Sequence, residues 1–111
     1  MNEANRIEDI TGESVEQEIQ RKELSAPRVT LKDVEAAIAG ETFTVLPSGR
    51  TTICELTLQN GFTVRGESSC VSIENFDAEL GKRISREDAK RTVWLLLGYA
   101  LREKLSQTDE R

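Results

Sequence analysis

Apolar positions near the N-terminus recur at helical spacing in two short segments. The first covers residues 14–24, which open with the form of a capping box. Its few apolar side chains mean that this helix needs a partner surface to be stable. The second covers residues 31–39, where Thr30 is the expected N-cap and Gly40 is expected to end the helix in the left-handed region.

The middle of the chain is rich in β-branched and aromatic residues, which predict three strands. The strands are expected over residues 41–46, 51–59 and 62–67. Residues 47–50 form a turn between the first two, and the Asn60-Gly61 pair is a strong hairpin signal between the second and the third. The pattern therefore predicts a three-stranded antiparallel meander.

The length of the second turn decides which side chains share a face of the sheet. A turn of two residues would place Thr57 opposite Val64. In that register each face mixes apolar and polar side chains, so we expect cover on both faces. With so few elements in the chain, one of the two covers could come from a second copy.

The last third of the chain is predicted to be helical. Ser72 is expected to cap a short helix that ends at Gly81, and Ser85 is expected to begin a long helix that runs nearly to the C-terminus. Apolar residues between Val93 and Leu101 cover almost the whole circumference of the long helix, and such a helix is buried all round. A homo-oligomer with this helix at its interface explains the pattern. The alternative is a central helix covered by the chain's own sheet and N-terminal helices.

These elements define an α+β fold, a three-stranded antiparallel β-meander with short N-terminal helices and a long C-terminal helix, in which the helices form the oligomer interface. We expect an acidic N-terminal arm with a short helix over residues 1–25, a single domain over 26–107, and a disordered tail over 108–111. A chain of 111 residues has enough material for one small core.

Composition excludes several classes of protein. The longest apolar run has nine residues when a glycine is counted, whereas a membrane span needs about 20. The N-terminus has no secretory signal, so a cytoplasmic location is expected. The net charge of −5 comes mainly from residues 1–25, which hold seven acids and three bases, a balance of −4. No basic surface for a nucleic-acid polymer is therefore predicted.

The absence of histidine removes histidine-based triads, general bases and metal sites. Cys54 and Cys70 are too few for a structural zinc site, and a disulfide between them is not expected in a reducing compartment. We therefore expect a binding or assembly protein that is not an enzyme and has no metal or cofactor.

Residues 82–91 contain five bases and two acids and span a predicted helix start. Unpaired N–H groups and the helix dipole favour an anion there, which makes Arg86 and Arg91 candidates for phosphate binding. The alternative is a solvated face in which Glu87 and Asp88 pair with the bases.

One face of the long helix carries two arginines on either side of a glycine. Its members lie within about 40° of one stripe at 100° per residue, and are Arg91, Leu95, Gly98 and Arg102. The glycine exposes backbone between arginines about 16 Å apart along the axis, where a flat ligand could lie with phosphates at either end. Alternatively, the glycine lets another helix come close.

Three weaker candidates precede the long helix. Arg28, held extended beside Pro27, could be a fixed cation or an ordinary exposed arginine. Phe76 could stack on a base or belong to the core, and the neighbouring Asn75 could hydrogen-bond the edge of a base or ribose.

Residues 27–105 resemble a known family. The matching strings are PRVTLKDVEAAI from Pro27 and NGFTVRGESSCVSIENFDAELGKRISREDAKRTVWLLLGYALREKL from Asn60, with PRVT, NGF-V-GES, ENFD-E-G and W-L-GY-L as the most specific pieces. The chain resembles the Gp-forty-nine-like proteins, small accessory proteins of tailed phages and prophages, most of which have no assigned activity. The resemblance implies a location in the cytoplasm of a host bacterium.

The layout is also similar to that of the phage Thoeris anti-defence type one proteins. Those are oligomeric sponges with a small sheet and long C-terminal helices, which sequester cyclic ADP-ribose signals made by TIR-domain immune enzymes; some also hold cyclic oligonucleotides. This similarity implies that Arg28, Phe76 and Arg102 contact ligand. It also implies a pocket where chains meet, in a dimer or a larger assembly such as a hexamer.

The first functional hypothesis is therefore a phage or prophage anti-defence protein that binds and withholds a cyclic nucleotide immune signal without cleaving it. Its predicted ligand-binding residues are Arg28, Asn75, Phe76, Arg86, Arg91 and Arg102. The second hypothesis is an accessory factor whose acidic arm and helices occupy a host enzyme or regulator. A small hydrolase is the third, and no nucleophile–base pair in the sequence supports it.

Overall fold

The computed structural model describes residues 13–22 and 26–108. The predicted arm before residue 13, the end of the predicted 14–24 helix and the tail after residue 108 lie outside the described residues. The elements are α1 (Glu13–Arg21), α2 (Leu31–Ala37), β1 (Ile38–Val45), β2 (Thr51–Leu58), β3 (Thr63–Ser69), a 3-10 turn (Ile73–Asn75) and α3 (Ala78–Gln107). The predicted α+β class and the antiparallel meander, in the order β1-β2-β3, are confirmed.

The start of α2 is the one that the sequence predicts. Thr30 Oγ1 accepts a hydrogen bond from the Asp33 backbone nitrogen at 3.1 Å, and Asp33 Oδ2 accepts one from the Thr30 nitrogen at 2.9 Å. This reciprocal pair is a complete capping box with aspartate in the third position.

The predicted end of that helix is wrong. The chain passes directly from Ala37 into β1, and Gly40 lies within the strand beside a bulge instead of closing the helix in the left-handed region. Hydrogen bonds to β2 replace those of the helix at this point. Ile38 is opposite Leu58, and the Ala37 carbonyl accepts a hydrogen bond from the Gln59 nitrogen at 2.9 Å.

The register between β2 and β3 also differs from the prediction. Thr57 lies opposite Thr63, and Leu56 lies opposite Val64. The connection is a three-residue loop in which Gly61 has a φ of 89°, the arrangement of a turn followed by a glycine bulge. The extra loop residue shifts the pairing by one position and exchanges the two faces of β3.

In the observed register the sheet has one apolar and one polar face, so the prediction of two mixed faces is wrong. Residues of β2 alternate between buried and half-buried along its whole length. The inner face carries Cys54, Leu56, Leu58, Val64 and Gly66, all buried. The opposite face carries Ile53 among threonines, a serine and charged residues, and this mainly polar surface does not argue for a second cover.

A single helix, α3, replaces the two helices predicted for the last third. Asp77 is its N-cap, since Asp77 Oδ1 accepts from the Leu80 nitrogen at 3.0 Å. Gly81 and Ser85, predicted as a helix end and an N-cap, are buried inside α3. They belong with Ala89 to a row of small side chains, four residues apart, along which α3 lies against the sheet.

The core lies between the inner face of the sheet and the two helices that cover it. Its fully buried members include Val34 of α2, Cys54 and Leu56 of β2, and Ala89 and Val93 of α3. In the part of the chain that the structure describes, no helix is long and apolar enough to cross a membrane.

The described residues do not cover the apolar middle of α3 all round. Leu95 and Tyr99 keep 72% and 70% of their surfaces exposed. Their neighbours Trp94, Leu96 and Leu97 are half-buried against the core. The placement of this helix at an oligomer interface stays a prediction.

Candidate functional site

A small cavity lies at the N-terminal end of α3, between that helix, the ends of β2 and β3, and the 3-10 turn. Its volume is about 120 Å³. The polar and aromatic residues that line it are Arg50, Thr52, Ser68, Ser69, Cys70, Asn75, Phe76 and Asp77. Of the predicted ligand-binding residues, the structure brings Asn75 and Phe76 to this cavity.

The most distinctive residue in the wall of the cavity is Thr52. Thr52 is 2% exposed, and its Oγ1 has no hydrogen-bond partner among the described residues. A buried hydroxyl without a partner destabilises a protein by about 1 to 3 kcal/mol, so such groups are rare. Sequence reasoning missed Thr52, although a hydroxyl on the same face of β2 as Cys54 and Leu56 was a signal.

Arg50 and Cys70 supply the guanidinium and the thiol of the cavity, and segments that adjoin the strands hold them in place. Arg50 follows the β1–β2 turn, and its Nη1 donates to the Val71 carbonyl at 3.2 Å. The Cys70 backbone nitrogen donates to the Arg50 carbonyl at 2.9 Å, which fixes the two residues side by side. Sequence reasoning missed both as site residues, because their proximity depends on the pairing of β2 with β3.

Asn75 and Phe76 reach the cavity through the 3-10 turn. The Asn75 nitrogen donates to the Ser72 carbonyl at 3.0 Å, and the Phe76 nitrogen donates to the Ile73 carbonyl at 3.1 Å. The Phe76 ring is half-buried, so part of it remains available to a neighbour. The wall of the cavity thus combines an aromatic ring with an amide that can both donate and accept.

Arg86 lies elsewhere, in a cluster of ion pairs between α2, β1 and α3. Its Nε donates to Glu41 Oε1 at 2.7 Å, and its Nη2 donates to Glu35 Oε1 at 3.0 Å. Lys90 Nζ lies 2.9 Å from both Glu35 Oε2 and Glu87 Oε2. A phosphate at Arg86 would have to compete with two carboxylates already in place.

The pKa values of Glu35 and Lys90 reflect the ion pairs in this cluster. The hydrogen bond from Arg86 outweighs the effect of burial and lowers the pKa of Glu35 from 4.5 to about 2, with a further contribution from Lys90. Burial disfavours the charged form of Lys90, but its hydrogen bonds to Glu35 and Glu87 outweigh burial and raise the pKa of the ammonium. The cluster is therefore a charged clamp that ties α2 and β1 to α3.

The basic segment 82–91 does not occupy a helix start, because α3 begins at Ala78. Its backbone N–H groups are inside the helix, and the anion site predicted on that ground is lost. Asp88, one of the acids expected to pair with the bases, accepts instead from the Glu67 nitrogen at 2.9 Å.

The remaining predicted residues are spread over the surface. Arg91 and Arg102 are exposed on α3, and Arg28 is half-buried in the segment before α2. A Cβ on Gly98, between the two helical arginines, would meet no atom of the described chain within 4 Å, so the stripe is open surface. Arg28, Arg91 and Arg102 are absent from the lining of the cavity.

The two cysteines are both free and differ in environment. Burial and the nearby charge of Glu41 raise the pKa of the Cys54 thiol, which keeps it protonated in the core. Cys70 is half-buried beside the cavity. Asp77 is the one carboxylate among the described residues that line the cavity, and it accepts the hydrogen bond that caps α3.

Comparison with known proteins places this arrangement in a family. No curated protein and no solved structure matches the chain. A family model described as the phage protein (N4 Gp49/phage Sf6 gene 66) family matches residues 29–105, which include α2, the whole sheet, the cavity and nearly all of α3. The similarity of layout to the Thoeris anti-defence proteins rests on sequence features alone. The chain belongs to the phage protein (N4 Gp49/phage Sf6 gene 66) family.

Proposed function

We propose that this phage-family protein captures a phosphate-bearing nucleotide, of the class of cyclic nucleotide immune signals, and withholds it without cleavage in the cytoplasm of the host bacterium. One observation carries the proposal. Thr52, whose buried hydroxyl has no hydrogen-bond partner among the described residues, lines a cavity together with Phe76 and Arg50.

The chemistry of the cavity suits a nucleotide better than an apolar ligand. An aromatic ring stacks on any base with a contribution of about 1 to 3 kcal/mol. A guanidinium binds phosphate through charge-assisted hydrogen bonds. Phe76 and Arg50 supply these groups, and the Asn75 amide and the Thr52 hydroxyl can bond a base or ribose edge.

The size of the cavity limits how much of the ligand one chain can enclose. Its volume of about 120 Å³ is below the roughly 300 to 1,000 Å³ of pockets that enclose drug-sized molecules. We therefore expect one group of the nucleotide to enter the cavity while the rest lies outside, against a second surface.

Binding without cleavage follows from the groups that are present. The sequence has no histidine, and the carboxylate of Asp77 already accepts the hydrogen bond that caps α3. Among the described residues that line the cavity, the hydroxyl and thiol groups therefore have no free general base beside them, which a nucleophile of this kind requires.

The test measures the melting temperature of the full chain with cyclic ADP-ribose isomers and with cyclic di- and trinucleotides. A ligand at about one hundred times its Kd should raise the melting temperature by about ten degrees or more. Mass spectrometry of the heat-released ligand should find it intact. Failure of every nucleotide to shift the melting temperature overturns the proposal, and a cleaved product would replace it with a hydrolase.

A matched pair of variants locates the site. Phe76→Leu keeps an apolar side chain but removes the ring that would stack on the base, so nucleotide affinity should fall at least tenfold. Phe62→Leu makes the same change at the hairpin loop, where the ring is 55% exposed and distant from the cavity lining. Equal affinity in the two variants would exclude the cavity as the nucleotide site.

A second function, an accessory factor that binds a host protein, is favoured by the exposure of Leu95 and Tyr99 on α3. Exposed apolar side chains grouped on one helix face are typical of protein-binding surfaces. Loss of host-target binding in a Leu95→Lys variant, with no nucleotide binding in the parent protein, would favour this function over the first.

A further inference from the structure

The two edges of the sheet differ in how their backbone groups are paired. β1 and β3 are the edge strands, since β2 lies between them. On β3, the Glu67 nitrogen points away from β2 and donates to Asp88 Oδ2 at 2.9 Å, so a side chain of α3 covers that edge. Such cover prevents an edge strand from pairing with another chain.

The edge formed by β1 has no such cover in the part of the chain that the structure describes. The Leu46 nitrogen donates to the Thr51 carbonyl at 2.9 Å, which marks a hydrogen-bonded pair between the two strands. Because backbone groups alternate in direction along an antiparallel strand, the N–H and C=O groups of Glu41, Phe43 and Val45 point away from β2. These backbone groups form no hydrogen bond with any described residue. The edge therefore offers a free series of donors and acceptors.

The side chains beside this edge are apolar, with one cation above them. Phe43 is half-buried on the inner face of β1, opposite Cys54, and Val45 on the same face keeps 49% of its surface exposed. Lys82 of α3 lies over the Phe43 ring, with its Nζ 5.7 Å from the ring centroid. The same Nζ lies 4.0 Å from Oε1 of the exposed Glu79, at the outer limit of an ion pair. The Lys82 ammonium can therefore accept a closer carboxylate.

These features identify an extended peptide as the occupant of the edge. An added strand pairs with the free backbone groups, and the surfaces beside its alternate side chains give specificity. We propose that the β1 edge binds an extended segment of a partner protein as a fourth strand. On the inner face, an apolar side chain of the segment would pack against Val45, and an acidic side chain opposite Phe43 would reach Lys82.

A second copy of this chain fits the edge less well than an acidic segment does. Two β1 strands paired about a two-fold axis at Phe43 would place both Lys82 ammonium groups on the same face, beside the paired rings, where like charges repel. The Glu41 carboxylate does not relieve this repulsion, because it already accepts from Arg86 Nε at 2.7 Å. The charge at this edge therefore favours a partner that supplies its own carboxylate.

This inference does not depend on nucleotide binding. Residues 41–46 are absent from the lining of the cavity. The peptide should therefore bind equally well with and without nucleotide, and the experiment is done in the absence of nucleotide.

The test uses the full chain and a synthetic peptide. The probe is a fluorescein-labelled peptide of about nine residues, the length of an ordinary strand, in which valine and threonine alternate and glutamate replaces the central valine. Fluorescence anisotropy should show saturable binding with a dissociation constant below about 1 mM. A lysine in place of the glutamate should raise that constant about tenfold, because attraction to Lys82 becomes repulsion. Hydrogen exchange at the Phe43 and Val45 amides should slow with saturating peptide.

Two pairs of variants locate the peptide on the protein. Val45→Pro removes a donor that points away from β2, so it should raise the dissociation constant at least tenfold and leave the pairing with β2 intact. Thr63→Pro makes the same change on the outer edge of β3, where the N–H points outward like that of Glu67, and should leave binding unchanged. Lys82→Glu should raise the constant about tenfold, whereas Lys104→Glu, in the last turn of α3, should not change it.

Circular dichroism checks that every variant is folded. The inference is overturned by a peptide that does not bind below about 1 mM, by equal binding to Val45→Pro and Thr63→Pro, or by equal affinity for the glutamate and lysine peptides. Sedimentation equilibrium of the chain alone tests the second copy as occupant. Dimers that Val45→Pro dissociates would assign the edge to that copy and overturn the inference as well.

Discussion

Gly66 of β3 lies directly against Ala89 of α3, where the helix comes closest to the sheet. A Cβ on Gly66 would stand 2.8 Å from the Ala89 Cα and closer still to the Ala89 nitrogen and the Ser85 carbonyl oxygen. These are backbone atoms of a hydrogen-bonded helix, which cannot move aside one at a time. The position of α3, and of the cavity at its N-terminal end, thus depends on the missing side chain at Gly66.

Gly66→Ala should therefore destabilise the protein. The added methyl group forces the helix away from the sheet, and overpacking of this kind lowers the free energy of unfolding by about 1 to 3 kcal/mol. Urea denaturation measures the loss. Gly40→Ala is the control, because a Cβ there meets nothing within 4 Å and φ is not positive. Equal stability of the two variants would contradict the close contact.

The ion pairs around Arg86 give a second prediction. Glu35→Gln removes the carboxylate that both Arg86 and Lys90 bind, so it should lower the free energy of unfolding by about 1 to 2 kcal/mol. Glu55→Gln changes an exposed pair, whose closest approach to Arg65 is 3.7 Å, and should alter stability by less than about 0.5 kcal/mol. Thermal unfolding at pH 7 compares the two variants. Similar losses of stability would show that the ion pairs around Arg86 stabilise the fold no more than an exposed pair does.

The same cluster predicts a loss of stability in acid. The pKa of Glu35 is about 2 in the folded protein, below its ordinary 4.5. The carboxylate therefore stabilises the fold fully above pH 4.5, and this contribution disappears as the pH falls towards 2. Because 42% of the side chain is exposed, screening limits the effect to about 1 to 2 kcal/mol. Unfolding of the parent and of Glu35→Gln between pH 6 and 2 should converge at the acid end; parallel curves would contradict this.

The elements of the fold could largely be predicted from the sequence, but the hairpin register could not. Asn60 and Gly61 mark a turn, and a glycine with positive φ suits both a two-residue turn and a three-residue loop with a bulge. Only the second choice puts Val64 beside Leu56 on one apolar face. The loop length is decided by whether apolar and polar side chains fall on different faces of the sheet. That is a property of the whole sheet, which the turn sequence does not contain.

The predicted helix boundaries were wrong for a different physical reason. Gly81 and Ser85 have the residue types of caps, but they are also the small residues that a helix needs where it touches a sheet closely. Local signals do not distinguish the two uses. The four-residue repeat Gly81, Ser85, Ala89 was the available sign that tertiary contact decides here.

The candidate site was the least predictable part. Glu35 and Glu41 lie 51 and 45 residues from Arg86 in the sequence, so their pairing depends on how α2 and β1 fold against α3. Asn75 and Phe76 were found from residue type and position. Thr52 and Arg50 join them only because β2 is the central strand and begins at the cavity.

Thr52→Val should separate stability from binding. The valine methyl group replaces the unpaired hydroxyl, so the free protein should gain about 1 kcal/mol in its free energy of unfolding. Nucleotide affinity should fall, since the ligand loses that hydrogen bond. Thr51→Val is the matched control: the Thr51 hydroxyl already pairs with Ser69 Oγ at 2.7 Å, so this variant should lose stability and keep its affinity. A stability loss at Thr52 would show that its hydroxyl has a partner in the free protein.

Two glycines of α3 should respond in opposite directions to the same substitution. Gly98→Ala adds a Cβ that meets no described atom within 4 Å, so the better helix propensity of alanine should raise the free energy of unfolding by up to about 1 kcal/mol. Gly81→Ala puts its Cβ 2.7 Å from Thr52 Oγ1 beneath the helix, and the clash should outweigh the gain in propensity. Urea denaturation measures the stability of both variants. Destabilisation by Gly98→Ala would contradict the open space around Gly98 and mean that this face of α3 is covered within the chain.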